Sequence, residues 1–353
     1  MSGPALGSRT SDDLLLDAGV LQAMPTCEWH GWSAVEAHGG SAVLVWRQQA
    51  RAAAAAGVEH HCHAPLTRTF FQVVVRIGKG RAATEADLAA AWQVLAPGGR
   101  LLLVGSNDVG IATWAKRVAA AIGVAGEVLA NRAHGRVVAF TRCRTHARAM
   151  LPIPASTIVP LPDGTPLQVA PGVFSADGLD GGTRLLLQAI AECDLPADFS
   201  GKIVDVGCGA GHLGVAAARR WPAAEVTLLD ADARAVACAQ ANVQGTPIRV
   251  AWWDEDDAWP VVGAVVGPEV GSVVGPEVGQ EVDAELALLN PPCHAGTSLD
   301  LTAARRLFGV IQARRLLVVA NRQLTYEADL QRLGDVVRIA EDSRFKVLSV
   351  TRF

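Results

Sequence analysis

Val204-Asp205-Val206-Gly207-Cys208-Gly209-Ala210-Gly211 decides the fold. Residues 203–206 read as a short apolar strand, and the glycines behind it release the backbone into a helix expected over 212–220. Closely spaced glycines permit positive φ and close approach to a ligand, and the helix start behind them presents free N–H groups. Outward from this turn, strands and helices alternate. Strands are expected at 226–229, 248–252, 286–289 and 316–320, helices at 233–243 and 301–313, and a closing hairpin pairs 336–340 with 346–350. That alternation implies right-handed crossovers and a mostly parallel α/β sheet covered on both faces.

The first half reads less cleanly. Strands are expected at 41–46 and 70–75 and a helix at 85–95. Pro97-Gly98-Gly99 then turns into Arg100-Leu101-Leu102-Leu103-Val104-Gly105-Ser106-Asn107, which resembles Arg315-Leu316-Leu317-Val318-Val319-Ala320-Asn321. This points to a duplication, with a degenerate first copy that has neither a Gly-x-Gly turn after a strand nor an Asn-Pro-Pro. The length of 353 residues favours two domains. The expected division is a first domain at 1–150, a connection at 151–171 stiffened by Pro152, Pro154, Pro160 and Pro162, and a second domain at 172–353. Residues 265–271 and 273–279 both spell Val-Val-Gly-Pro-Glu-Val-Gly, an expanded loop expected to carry no chemistry.

Composition narrows the setting. Half the residues are hydrophobic and 19% are charged, as in a folded α/β protein rather than a disordered chain. The opening Met-Ser-Gly-Pro-Ala-Leu lacks the charged run and apolar core of a signal peptide, and no apolar run approaches a membrane span. Seven scattered cysteines without a Cys-x-x-Cys pair fit reduced thiols, so a cytoplasmic protein is expected. His60-His61-Cys62-His63 has no second pair at zinc spacing and reads as a polar loop, so no metal is expected. The net charge of -4 does not mark a nucleic-acid binder. Between Glu127 and Asp163, however, an acid-free stretch carries Arg132, His134, Arg136, Arg142, Arg144, His146 and Arg148, either an RNA-facing patch or a solvated edge. The oligomeric state stays open.

Chemistry gathers at two places. The first is the glycine turn, where Gly207, Gly209 and Gly211 cradle a ligand and Asp205 adds a carboxylate. Asp230, ending the next strand, offers acceptors to ribose hydroxyls; Asp254, past the third, faces an adenine amine, with Trp252 and Trp253 beside it. Gly209-Ala210-Gly211-His212-Leu213-Gly214 also fits a dinucleotide pattern with Asp230 about 20 residues on. A carboxylate at Asp205 would repel pyrophosphate, and Gly207 comes two residues too early for that pattern, so S-adenosylmethionine is preferred to NAD.

The second place is Asn290-Pro291-Pro292, at the end of the strand 286–289. Two prolines fix φ and remove N–H donors, so the Asn290 side-chain oxygen and the Pro291 carbonyl can accept both hydrogens of one planar exocyclic amine. Alone, the triplet reads as an ordinary turn after a buried strand. Following the glycine turn, it describes methyl transfer by positioning and electrostatics, without a strong base.

These motifs resemble the RsmC/RlmG family of bacterial ribosomal RNA guanine-N2 methyltransferases. The resemblance rests on Gly172-Val173-Phe174-Ser175 with Gly178-Leu179-Asp180, the turn at 204–211, Asn290-Pro291-Pro292-x-His294-x-Gly296, Asn321, and Arg344-Phe345-Lys346-Val347. In the first half, Pro97-Gly98-Gly99 and Asn107-x-x-Gly110-Ile111 add to it. It implies a class I methyltransferase, Rossmann-like, with a seven-stranded sheet and a degenerate N-terminal copy. It implies S-adenosylmethionine as donor, N2 of a guanine in ribosomal RNA, favouring 16S, as acceptor, and the RNA or the small subunit as partner. Phe174, Asp180, Cys293 and His294 would line the acceptor side. Cys293 departs from the family, which places Phe or Tyr there to stack on the base. Transfer to another planar amine or amide (adenine N6, glutamine), or a non-catalytic RNA-binding role, are the other readings.

Overall fold

Apolar runs bounded by glycine and proline give each half of the chain a buried sheet. The computed structural model describes residues 9–17, 19–62, 67–143, 152, 154–259, 284–292, 294–295, 298–299 and 301–352. It divides into two compact units, Gly3–Ala155 and Ser156–Phe353.

The first unit runs α1 (Arg9–Leu15), β1 (Thr26–Trp29), α2 (Ser33–His38), β2 (Gly40–Val43), α3 (Arg47–Ala55), β3 (His60–His61), β4 (Phe70–Arg76), α4 (Arg81–Val94), β5 (Leu95–Ser106), α5 (Ile111–Ile122), β6 (Glu127–Arg132) and β7 (Gly135–Thr141). Its sheet has the order β3-β2-β1-β4-β5-β7-β6, with β7 antiparallel to β5 and β6. The strand expected at 41–46 stops at Val43, because the chain turns through Trp46 into α3. Pro97-Gly98-Gly99 bulges out of β5: Phe70 pairs with Leu95, but Gln72 pairs with Arg100. His60 and His61 form the edge strand beside β2.

The second unit runs β8 (Thr157–Pro160), β9 (Pro166–Val169), α6 (Gly181–Ala191), β10 (Lys202–Val206), α7 (His212–Arg220), β11 (Glu225–Asp230), α8 (Ala233–Asn242), β12 (Arg249–Trp252) and β13 (Ala284–Leu289). It continues with β14 (His294–Ala295), β15 (Ser298–Leu299), α9 (Thr302–Val310), β16 (Ala313–Asn321), α10 (Tyr326–Leu330), β17 (Gly334–Glu341) and β18 (Phe345–Arg352). The order is β12-β11-β10-β13-β16-β18-β17. Counted among its own seven strands, each sheet therefore reads third, second, first, fourth, fifth, seventh, sixth. The two units are copies of one Rossmann-like topology.

The stretch expected to be a stiff connection is structured differently. β8 and β9 pair as a hairpin, and Val159, Leu161, Leu167 and Val169 are buried. Val159 and Val169 pack with Ala210 of the glycine turn and with Ala235 and Cys238 of α8. Pro160 and Pro166 sit opposite each other at the last strand pair, and the turn beyond them is closed by the Leu161 N–H, which donates to the Thr165 carbonyl at 2.9 Å. The prolines thus bound a hairpin, and the second compact unit starts at Ser156 rather than 172.

Candidate active site

The glycine turn is held by its neighbour strand. Gly207 and Cys208 both donate their backbone N–H to the Leu229 carbonyl, at 2.8 and 2.9 Å. Gly207, Gly209 and Gly211 take φ of +70°, +57° and +94°, the left-handed region that other residues enter at a cost. Gly211 caps α7 without a side chain of its own. The cap comes from β10: the Asp205 Oδ2 accepts from the Gly214 N–H at 2.9 Å. Gly214 must itself lack a Cβ, which would collide with the Leu228 side chain. Gly211→Ala combines positive φ with a Leu228 methyl 3.1 Å from the new Cβ. It should cost about 1–3 kcal/mol, read as a lower urea midpoint of the full chain.

Two carboxyls lie under this turn. Asp205 is fully buried, and its Oδ1 has no hydrogen-bond partner among the described residues. Burial pushes its pKa up to about 7; the Gly214 N–H opposes the rise and the charge of Asp230 adds to it. Asp230 accepts from the Gly209 N–H through Oδ2 and from the Asp232 N–H through Oδ1, both at 2.9 Å. Burial pushes its pKa up to about 6, against the Asp232 N–H. Asp254, also buried, accepts from the Asp256 N–H at 3.0 Å and so shapes the turn after β12. Trp252 is half-buried and donates Nε1–H to the Ala231 carbonyl at 2.9 Å. The sequence places Trp253 next to it, but Trp253 is buried in the core and meets Trp259 edge-on at 5.5 Å. Cys208 is buried, and burial drives its thiol well above the ordinary range, as suits a packing residue.

Asn290 stands beside the turn by register. Val206 pairs with Leu289, so the next residue on each strand is Gly207 and Asn290. The Asn290 Nδ2 donates to Thr183 Oγ1 at 2.9 Å and to Asp180 Oδ2 at 3.2 Å. Asp180 caps α6, its Oδ2 accepting from the Thr183 N–H at 3.0 Å. Pro291 is buried and Pro292 half-buried. Phe174 is 59% exposed, next to Ser175 at φ +67°. Gly181 and Gly182 leave room for the Phe345 ring. Thr183 is the site residue that sequence reading missed, although Asp180-Gly181-Gly182-Thr183 is an N-cap pattern. Cys293, Gly296 and the repeat 265–279 lie outside the described residues; of His294 only the backbone, in β14, is described.

The first unit shows what a closed copy of this site looks like. Trp29 pairs with Val43 and Val75 as Val206 pairs with Leu229 and Leu289. His30 then corresponds to Gly207: it has φ +63° and donates to the Val43 carbonyl at 2.9 Å. By the same register Glu28 matches Asp205, and Arg76 matches Asn290. Arg76 donates Nε–H and Nη2–H to Glu28 Oε1 at 2.8 and 2.6 Å, and also reaches Asp12 and Ser33. A Cβ on Gly31 would strike the guanidinium. The crevice is filled by the chain's own arginine.

Two of the described arginines in the basic stretch are committed internally. Arg132 pairs with Asp17 at 2.5 Å, while Arg142 donates to the Trp92 and Leu95 carbonyls and lies over the Trp92 ring. Arg144, His146 and Arg148 lie outside the described residues. On α9, Arg305 pairs with Asp329 and Arg306 with Asp256. Among the described residues no His, Cys, Asp and Glu side chains cluster as a metal site, and no helix is long and apolar enough to cross a membrane.

Comparison with known proteins adds to this geometry. Residues 165–262 match the family model of the methyltransferase small domain. The ribosomal RNA small subunit methyltransferase C of Pseudomonas aeruginosa is 32% identical over 297 residues, covering 81% of this chain and 80% of that protein. The enzyme of the same name from Pseudomonas paraeruginosa is 32% identical over 79% of this chain and 78% of its own length. That from Pseudomonas entomophila is 36% identical over 55% of this chain and 53% of its own. The solved structure of the T. thermophilus 16S rRNA N2 G1207 methyltransferase, in complex with AdoMet and guanosine, superposes with a TM-score of 0.78 at 23% identity, over 99% of this chain and 94% of that one. The fold is thus shared along nearly the whole length.

Proposed function

Since the chain belongs to the ribosomal RNA small subunit methyltransferase C family, we propose that its second unit transfers a methyl group from S-adenosylmethionine to the exocyclic N2 of a guanine in small-subunit ribosomal RNA. The observation that carries this reading is the locked Asn290 amide at a strand end beside the glycine turn. Both hydrogens of Nδ2 are spent on Asp180 and Thr183, so Oδ1 is the atom turned to a ligand.

The residues of the turn fit a cationic donor. Asp205, Asp230 and Asp254 concentrate carboxyl groups at one end of the sheet, and Asp205 Oδ1 is buried without a partner among the described residues. Gly207, Gly209 and Gly211 keep the backbone bare there. A pyrophosphate would meet repulsion in the same place, which disfavours a dinucleotide. When bound, S-adenosylmethionine supplies an electrophilic methyl group on a sulfonium. Asn290 Oδ1 and the Pro291 carbonyl accept the two amine hydrogens and aim the nitrogen, while Pro292 holds the turn. Positioning of this kind lowers the barrier without moving a proton to a strong base. Phe174, exposed and next to the left-handed Ser175, offers a stacking face for the flipped base; Asp180, Cys293 and His294 join it on the acceptor side by family resemblance. Ribosomal RNA is the partner and the cytoplasm, where cysteines such as Cys27 and Cys208 stay reduced, the location.

Donor binding should depend on pH with a definite sign. Raised carboxyl pKa values mean that the folded chain holds protons the unfolded chain has lost, so stability falls as pH climbs from about 4 through 7. A cationic donor favours the ionised carboxyls. Its affinity should rise between pH 5.5 and 7.5, with proton release visible by calorimetry in two buffers of different ionisation heat. Flat affinity, or proton uptake, would count against donor contact with Asp205 and Asp230. For the reaction itself, small-subunit RNA from cells with and without this chain should differ in N2-methylguanosine after digestion to nucleosides. Identical digests would reject the assignment.

A further inference from the structure

We infer that Thr183 is a positioning residue for methyl transfer: with Asp180 it fixes which way the Asn290 amide faces. An asparagine amide has two orientations of similar shape and opposite chemistry. One presents an acceptor to the incoming amine, the other a donor that would repel it. The choice is made by what the opposite end of the amide meets. Here Nδ2 meets two acceptors, Thr183 Oγ1 at 2.9 Å and Asp180 Oδ2 at 3.2 Å. Flipping the amide would bring Oδ1 against the Asp180 carboxylate and leave both acceptors without those hydrogens. The two anchors are themselves rigid. Asp180 is fixed as the cap of α6 by the Thr183 N–H at 3.0 Å, and Thr183 is 6% exposed in the first turn of that helix. One helix start therefore holds both groups, and its place on the sheet is set by buried Leu186 and Leu187, which share a core cluster with Leu288, Leu317 and Val347, and by the Phe345 ring against Gly181.

Asp180 alone would leave one Nδ2 hydrogen unassigned and the side chain free to swing about its single bond. Thr183 supplies the second point that defines the plane. The inference rests on the proposed role of Asn290 and extends it to the residue that holds its amide.

The test uses the full chain with S-adenosylmethionine and small ribosomal subunits lacking the methylation. Thr183→Val keeps the shape and removes the acceptor; kcat should fall about 10- to 100-fold. Donor Kd and KM for the subunit should stay within about threefold, since the hydrogen bonds of Thr183 run to Asp180 and Asn290 and none to the glycine turn among the described residues. Thr183→Ser restores the hydroxyl and should recover most of kcat. A purely structural threonine would give the opposite pattern, with Thr183→Val active and Thr183→Ser impaired in step with a lower Tm. Full activity of Thr183→Val overturns the inference if Asn290→Ala is inactive in the same assay. If Asn290→Ala is active as well, the proposed role of Asn290 fails first and takes the inference with it.

Discussion

Replacing Asn290 with alanine should lower methyl transfer by about 10²–10³-fold while leaving S-adenosylmethionine affinity within about twofold. The donor turn is built from β10, β11 and the start of α7, and no hydrogen bond among the described residues runs from the Asn290 side chain to any of them. Binding calorimetry and single-turnover transfer on the same preparation separate the two effects. Asn290→Asp sharpens the test, because it sets a second carboxyl about where Nδ2 now lies, 3.2 Å from Asp180. Two carboxyls at that distance share one proton, so the variant should be poor at neutral pH and recover as pH falls toward about 5. A pH profile parallel to that of the unmodified chain would mean that Asp180 does not face this position in solution.

The second large effect is expected in the first unit. Arg76→Met removes the cation from Glu28, whose side chain is fully buried and keeps only the Ala34 N–H at 2.8 Å. Breaking a buried pair from one side costs about 3–5 kcal/mol. Burial already pushes the Glu28 carboxyl up against the influence of Arg76, so the lone acid would take up a proton. Glu28→Gln combined with Arg76→Met removes both charges and should recover most of the loss. Amide exchange of peptides covering β1 and β4 reads this directly, since those strands should open sooner in Arg76→Met and close again in the double variant. Equal exchange in all three would show that the arginine carries no weight in the first unit.

The second half was legible because its strands are uniform apolar runs. Leu286 to Leu289, Leu316 to Ala320 and the glycines after Val206 state period and boundary together. The first half hid its opening strand, since Thr26-Cys27-Glu28-Trp29 is half polar and becomes a buried strand only when Arg76 and Gln72 arrive from β4 to satisfy it. No local pattern announces a partner about 50 residues away. The hairpin at 157–169 reads as a stiff connection for a related reason: its prolines are conspicuous, whereas Val159 and Val169 matter only once α8 and Ala210 are there to cover them. At the site, the sequence placed Asp205, Asp230, Asp254 and Asn290 at strand ends. It could not show that the two deepest carboxyls also accept backbone N–H groups, nor that Asp180 and Thr183 grip the Asn290 amide. Those bonds join residues up to 110 positions apart.

One measurement bears on the central claim more directly than any variant. The purified chain is given S-adenosylmethionine with a tritiated methyl group and, separately, naked small-subunit RNA, assembled small subunits and large subunits, all lacking their methylations. The account predicts label in small-subunit RNA, recovered after digestion as N2-methylguanosine. Label recovered as N6-methyladenosine or in protein, or no label despite donor binding, would contradict it.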